Sequence, residues 1–147
     1  MVVAPSGKLP RRIGRYVLYE QLAEGGMAKV FAGKLVGHAD FGRVVAIKRM
    51  HPHLVEDREL VAMFLDEARI AARIRHPNVV PILDVIEDAG EVSIVMEYVH
   101  GDSLARVLRT AKAMGSELPL DVIASIATGM LMGLHGAHEA KTEDRRP

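Results

Sequence analysis

Cysteine is absent from the 147 residues, so neither a disulfide framework nor a thiolate metal site is available, which is compatible with a reducing compartment without requiring one. Neither sign of charge is in excess: 19 Lys and Arg stand against 19 Asp and Glu. There is no basic surplus to hold a phosphate backbone and no acidic surplus to keep the chain unfolded, so nucleic acid is not an expected partner. No export leader is expected either, because Met1-Val2-Val3-Ala4-Pro5 has no basic residue ahead of its apolar stretch and Pro5 cuts that stretch short. The chain is therefore expected in the cytoplasm. The longest segment without formal charge, Val122 to His138, is diluted by Ser125, Thr128, Gly129, Gly133, His135, Gly136 and His138 and is shorter than a spanning helix needs. It reads as a buried helix, and no membrane segment is expected. Internal repeats and low-complexity tracts are missing too.

What is present is a chain 49% hydrophobic, enough for one domain with a real core. Residues 1–12 are small, polar and basic without a period, which reads as a flexible arm, with order beginning near Ile13. Tyr16 to Ala23 and Lys29 to Leu35 are rich in β-branched and aromatic residues, and Glu24-Gly25-Gly26-Met27-Ala28 between them predicts a glycine-tipped hairpin. A third strand, Arg43 to Met50, follows the turn-like residues 37–42, and its Val44-Val45-Ala46-Ile47 core suits burial on both faces. Between Glu56 and Ile74 the residues Leu60, Met63, Phe64, Ile70, Ala71 and Ile74 recur at helical spacing, and the residue before Pro77 ends that helix. Strands Val79 to Ile86 and Val92 to Glu97 follow, around the turn at 87–91. Beyond Tyr98-Val99-His100-Gly101 the pattern becomes wholly helical, about Ser103 to Ala113 and Leu120 to Ala140, with an apolar stripe at Ile123, Ile126, Ala127, Met130, Leu131 and Leu134.

Two features carry chemistry. Glu67 lies seven residues from both Leu60 and Ile74, inside the apolar stripe, where an ionised group needs a partner. Lys48 shares a strand face with Ala46 inside an apolar strand, so an acid and a base occupy consecutive elements. At about 4 Å and an effective dielectric of ~20 such a pair is worth ~4 kcal/mol before desolvation. A purely structural ion pair, or an exposed helix face, accounts for the same residues. The glycine hairpin is the second feature: a tip without side-chain bulk lets backbone N–H groups approach phosphate oxygens, although tight turns also use glycine.

In this order the motifs resemble the bacterial, eukaryotic-like serine/threonine protein kinases. Leu22-Ala23-Glu24-Gly25-Gly26-Met27-Ala28-Lys29-Val30-Phe31 is similar to their glycine-rich loop, Val45-Ala46-Ile47-Lys48 to the third-strand lysine motif, and Phe64-Leu65-Asp66-Glu67-Ala68-Arg69 to the αC helix. His76-Pro77-Asn78-Val79-Val80 resembles the turn after αC, and Ile94-Val95-Met96-Glu97-Tyr98-Val99 with Gly101 and Leu104 the last strand and hinge. The resemblance implies an α+β fold: residues 13–98 as an ATP-binding N-lobe, with a five-stranded antiparallel sheet and αC, and 99–147 as hinge and first C-lobe helices. It implies ATP as cofactor, a protein as substrate and Lys48 and Glu67 as the catalytic pair, with Lys48 on the α- and β-phosphates. Leu22, Val30 and Ala46 would roof the adenine and Met96 would stand as gatekeeper. The backbones of Glu97 and Val99 would bond the adenine edge, Ser103 would approach the ribose, and Ala23, Gly25 and Gly26 would line the loop.

The sequence departs from the family in two ways. The first and third loop glycines are replaced by Ala23 and Ala28; positive φ at either would cost on the order of 1–2 kcal/mol. No counterpart of the H-R-D and D-F-G aspartates or the activation loop follows the long helix, so magnesium ligands are lacking and the chain alone is expected to be inactive. A missing C-lobe or self-association would then cover the last helix. Two rivals are a non-catalytic pseudokinase or nucleotide-binding adaptor, favoured by these departures but not by the retained Lys48 and Glu67, and a small-molecule phosphotransferase of the same fold. His51 and His53, and His135 and His138, have ligand spacing but no evident third ligand, so no metal site is expected.

Overall fold

Strand β4, Val44–Met50, sends successive side chains to opposite faces, and both faces are covered. Val45 and Ile47 join one core cluster with Ile13, Tyr16, Leu18, Phe31 and Val95. Met50 joins the other, with Ala28, Phe64, Ala68, Val92 and Ile94. This is why Val44 to Ile47 read as continuously apolar, with Lys48 and Arg49 the charged residues of the strand. The computed structural model describes residues 9–37, 42–88 and 90–142. The expected turn at 37–42 therefore falls partly outside the described residues, as do most of the N-terminal arm and the last five residues.

The chain divides into two units, Met1–Arg73 with Pro81–Tyr98, and Ile74–Val80 with Val99–Pro147. In the first, β1 (Arg11–Ile13), β2 (Tyr16–Glu24), β3 (Ala28–Leu35), β4, β5 (Ile82–Asp88) and β6 (Glu91–Glu97) form one antiparallel sheet in the order β1-β2-β3-β4-β6-β5. Six strands replace the expected five. Arg11 and Arg12, assigned to a flexible arm by composition, pair with Leu18 and Val17. Ile13, turned back by a two-residue loop with Gly14 at φ +52, is buried in the first cluster. A three-residue strand has too short a period to be seen in composition.

Strands β1 and β5 end the ladder on opposite sides, yet the two ends meet. Arg15 Nη2 and the Tyr16 hydroxyl donate to Asp84 Oδ2 at 2.8 and 3.1 Å, and Arg11 Nη2 donates to Glu91 Oε1 at 2.6 Å. Glu91 also receives Arg49. The sheet is thus curled upon itself around the first cluster, which shields its edges. Burial by itself raises the Asp84 carboxyl; its bonds from Arg15 and Tyr16 outweigh this and hold it below the usual carboxylate range.

Helix α1, Arg58–Ala72, starts at Asp57, whose carboxylate accepts from the N–H groups of Glu59 and Leu60. Its inward face differs from the expected stripe. Phe64 and Ala68 are buried and Leu60, Val61 and Leu65 pack beside them, whereas Met63 and Ile70 are exposed. Burying Phe64 contributes on the order of 2–3 kcal/mol. Strand β5 begins only after Pro81, later than expected from Val79, because proline supplies no ladder N–H.

In the second unit, α2 (Leu104–Ala113) is capped by the Ser103 hydroxyl, which accepts from Arg106 N, and α3 spans Leu120–Thr142. Gly129, Gly133 and Gly136 recur along one side of α3, and there the segment after α1 lies against bare helix backbone. Asn78 Nδ2 donates to the Gly129 carbonyl at 2.7 Å. A Cβ would stand 2.8 Å from Asn78 Nδ2 at Gly129, 3.1 Å from the Asn78 carbonyl at Gly133 and 3.0 Å from the His76 ring at Gly136. Read from the sequence, these glycines only dilute an apolar run; in the fold they form its packing face.

The larger apolar side chains of α3 point elsewhere, which corrects the expectation of a buried helix. Ile123 and Leu134 are about half exposed, and Met130 and Leu131 are 64% and 67% exposed. By length and composition alone, Leu120–Ala140 is long and apolar enough to cross a membrane. A helix held on one narrow side by glycines opens more readily than a strand buried on both faces. Amides from Leu120 to Ala140 are therefore expected to exchange faster than those from Val44 to Lys48 in a monomer; equal protection in a demonstrated monomer would show that the exposed stripe is not a weakness.

Candidate functional site

Register places five of the expected site residues on a common face of the first unit. Residues opposite one another in a ladder share a face, and the rows Ala23–Val30–Lys48–Ile94 and Ala32–Ala46–Met96 run straight across it. Ala23, Val30, Ala46, Lys48 and Met96 therefore lie on the face that carries the second core cluster. Ala46 is buried, and Val30 and Met96 are half-buried. Leu22 stands at the register shift between Gln21 and Ala23 and is exposed.

On that face Lys48 Nζ meets Glu67 Oε1 at 2.6 Å and lies 5.3 Å from the centre of the Phe64 ring. The pair forms, but not for the reason its sequence position suggests. Glu67 is 60% exposed and Lys48 26%, so the carboxylate sits beside the buried stripe rather than within it. The ring and the sheet hold the lysine, and α1 brings the acid to it from the rim. A pair this open to solvent contributes about 0.2–1 kcal/mol, not the larger figure for a buried contact. Its consequence is geometric: the ammonium is held in one place while much of the carboxylate remains in water.

The glycine hairpin closes through Gly25 N–H to the Ala28 carbonyl at 2.9 Å, and through Lys29 to Glu24 at 3.2 Å. Hydrogen bonds from Lys29 and Gln21 keep the Glu24 carboxyl below its ordinary value. Both alanines that replace family glycines lie in paired strands, Ala23 opposite Val30 and Ala28 opposite Met50, so extended backbone suffices at each. The expected strain does not arise. Neither Gly25 nor Gly26 has positive φ, and a Cβ would meet nothing nearer than 3.7 Å at Gly25 and nothing within 4 Å at Gly26. The turn itself demands no glycine at Gly26, and room outside the chain is what its missing side chain provides.

Of the remaining expected residues, the Glu97 N–H already bonds the Pro81 carbonyl at 3.1 Å, and its carboxylate pairs with Arg43 at 3.3 Å. Its N–H is thereby occupied within the first unit. Val99 and Ser103 belong to the second unit; Val99 is exposed, and the Ser103 hydroxyl serves the α2 cap. Sequence reasoning missed the Phe64 ring beside Lys48, although Phe64 falls three residues before Glu67. Among the described residues, no three His, Cys, Asp or Glu side chains come together as metal ligands.

Glu67→Gln keeps the shape of the pair and removes one charge. Urea unfolding is expected to shift by less than about 1 kcal/mol, because the lost contact is largely solvated. A loss above about 2 kcal/mol would mean that the carboxylate is buried in solution.

Residues 16–142 match the family model of the protein kinase domain. The chain is 42% identical over 147 residues to the tyrosine-protein kinase MasK of Myxococcus xanthus, covering 99% of this chain and 23% of that protein. It is 37% identical over 139 residues to a probable serine/threonine-protein kinase of Streptomyces coelicolor, covering 89% and 19%. The crystal structure of the Mycobacterium tuberculosis PknI kinase domain superposes with a TM-score of 0.67 at 26% identity, covering 95% of this chain and 53% of that one. The chain thus spans less than a quarter of these curated relatives and about half of the solved domain, and α3 lies within the matched residues. A curled antiparallel sheet with one helix on the face away from its curled interior, a lysine of β4 paired to that helix and a match over most of the chain's length make it a member of the protein kinase domain family.

Proposed function

We propose that this chain is the ATP-binding portion of a serine/threonine protein kinase, and that the whole protein transfers the γ-phosphate of ATP to a protein hydroxyl. The observation that carries this reading is the 2.6 Å contact between Lys48 and Glu67, on the sheet face that also bears Ala23, Val30, Ala46 and Met96. A cation placed by a carboxylate, one strand from a hairpin with a bare tip, suits a triphosphate; the small and apolar side chains beside it suit a base. Lys48 orients the α- and β-phosphates, Glu67 positions Lys48, and Gly25 and Gly26 admit the phosphate oxygens to the loop backbone. Leu22, Val30, Ala46 and Met96 bound the adenine, the Glu97 carbonyl and Val99 backbone bond its edge, and Ser103 approaches the ribose. The partner group is ATP with magnesium, but no residue of this chain is assigned to the metal, and no step is drawn through it.

The acceptor class rests on the serine/threonine relatives from Streptomyces and Myxococcus, while MasK is named a tyrosine kinase. Phosphoamino-acid analysis of the whole protein's products decides between them. The absence of cysteine suits the cytoplasm, where we place it. The exposed stripe of α3 is the surface that the rest of a kinase C-lobe, or self-association, covers.

Lys48→Met is expected to weaken ATP binding by at least tenfold, measured by calorimetry, with the fold retained. ATP affinity equal to the parent's, or no binding by the parent at millimolar ATP, would sink the nucleotide reading.

The 147 residues alone are expected to transfer no phosphate to protein, because the groups that orient the hydroxyl and hold magnesium are not among them. Transfer from labelled ATP to a generic basic protein, abolished by Lys48→Met, would overturn that expectation.

A further inference from the structure

His51 directly follows β4 and is assigned no role by the reading above. Its main chain and its ring both bond the glycine hairpin: the His51 N–H donates to the Met27 carbonyl at 2.9 Å, and ring Nε2 lies 2.8 Å from the Gly25 carbonyl. A carbonyl can only accept, so Nε2 carries the hydrogen. The ring is held from its other side. His51 has φ −61 and ψ 134 and precedes Pro52, which opens the short 3-10 turn Pro52–Leu54 and keeps its predecessor extended. The His53 ring, on that turn, stacks on the His51 ring at 5.4 Å between centroids and 24° between planes. The His51-Pro52-His53 sequence, which looks like a pair of metal ligands, is thus a proline-set turn that aims one ring at the loop.

The two bonds have a directional effect. In a planar trans peptide the carbonyl and the following N–H point opposite ways. With the Gly25 and Met27 carbonyls drawn to His51, the N–H groups of Gly26 and Ala28 are turned away from it. A loop that cradles anions requires this arrangement, with carbonyls drawn back and N–H groups forward. Glycine at 25 and 26 lowers the bulk of the tip but leaves it loose, because glycine has the largest conformational freedom to lose. An outside clamp offsets that looseness, and it is rooted three residues beyond Lys48, just past the end of the same strand.

We propose that His51 is a positioning residue of the phosphate-binding hairpin, clamping its tip through the Gly25 carbonyl so that the loop N–H groups face the phosphates of the nucleotide. The proposal rests on the ATP-binding reading and adds to it a residue that acts through the loop rather than on the nucleotide.

The test compares His51→Ala, which keeps the main-chain bond to Met27, with His51→Gln, whose amide N–H replaces Nε2–H. Amide exchange at Gly25 to Ala28 is measured without nucleotide, and calorimetry follows ATP and adenosine separately. In His51→Ala, loop exchange is expected to rise and ATP to bind about three- to tenfold more weakly, the range set by one lost hydrogen bond, with adenosine unchanged. His51→Gln is expected to restore both. Unchanged loop exchange in His51→Ala overturns the clamp. Faster exchange with unaltered ATP affinity, or an equal loss for adenosine and ATP, overturns the positioning role. If the parent binds neither ligand, the ATP reading fails and the positioning role with it, while the exchange measurement still decides whether the clamp exists.

Discussion

Strand β4 has to serve two cores and a cation at once. Val45 and Ile47 fill the interior of the curled sheet, Met50 packs under α1 on the other face, and Lys48 shares that second face. A lysine there is tolerated because its stem runs along apolar surface while its ammonium reaches Glu67 at the rim, beside the Phe64 ring. Everything proposed for the nucleotide site depends on this placement. If β4 slipped by one residue, Lys48 would enter the interior and Val45 and Ile47 would leave it, so the two apolar clusters hold the register that keeps the ammonium available.

Sheet curvature supplies the rigidity behind that placement. The polar groups of the β1–β2 hairpin tie to Asp84 and Glu91 at the far end of the ladder, so the strands that flank β4 cannot splay. On this frame the tip of the glycine hairpin, Gly25 and Gly26, is exposed. Its tip is closed by Gly25 and Ala28, and tied from outside by His51. Rigidity and freedom are thus divided between neighbouring segments of the same two strands.

The helical unit follows a different rule. α3 makes its close contacts with glycine, where backbone can approach backbone, and leaves its large side chains in the open. Asn78, just after α1 in the chain, bonds the α3 backbone directly. A hydrogen bond to main chain is indifferent to the side chains around it, so it survives changes in the exposed stripe.

The order of most strands and helices, the two-faced character of β4 and the glycine tip were legible in the sequence, because period and residue type act locally and show in any window of ten residues; the pairing of Lys48 with Glu67, 19 positions apart, was legible only because each is a lone charge of opposite sign in an apolar pattern. Even there one premise failed: Glu67 was placed on a buried stripe by counting sevens from Leu60, but α1 is rotated so that Phe64 and Ala68 face the sheet. The angle at which a helix meets a sheet is set by the partner surface, which no window contains. For the same reason only the tertiary structure supplied β1, whose three residues become a strand by pairing with Tyr16–Leu18 and burying Ile13. It alone turned the α3 glycines from diluents into a packing face and joined His51 to Gly25, 26 positions apart, because contacts between distant residues are made by the folded backbone and leave no periodic trace in the chain.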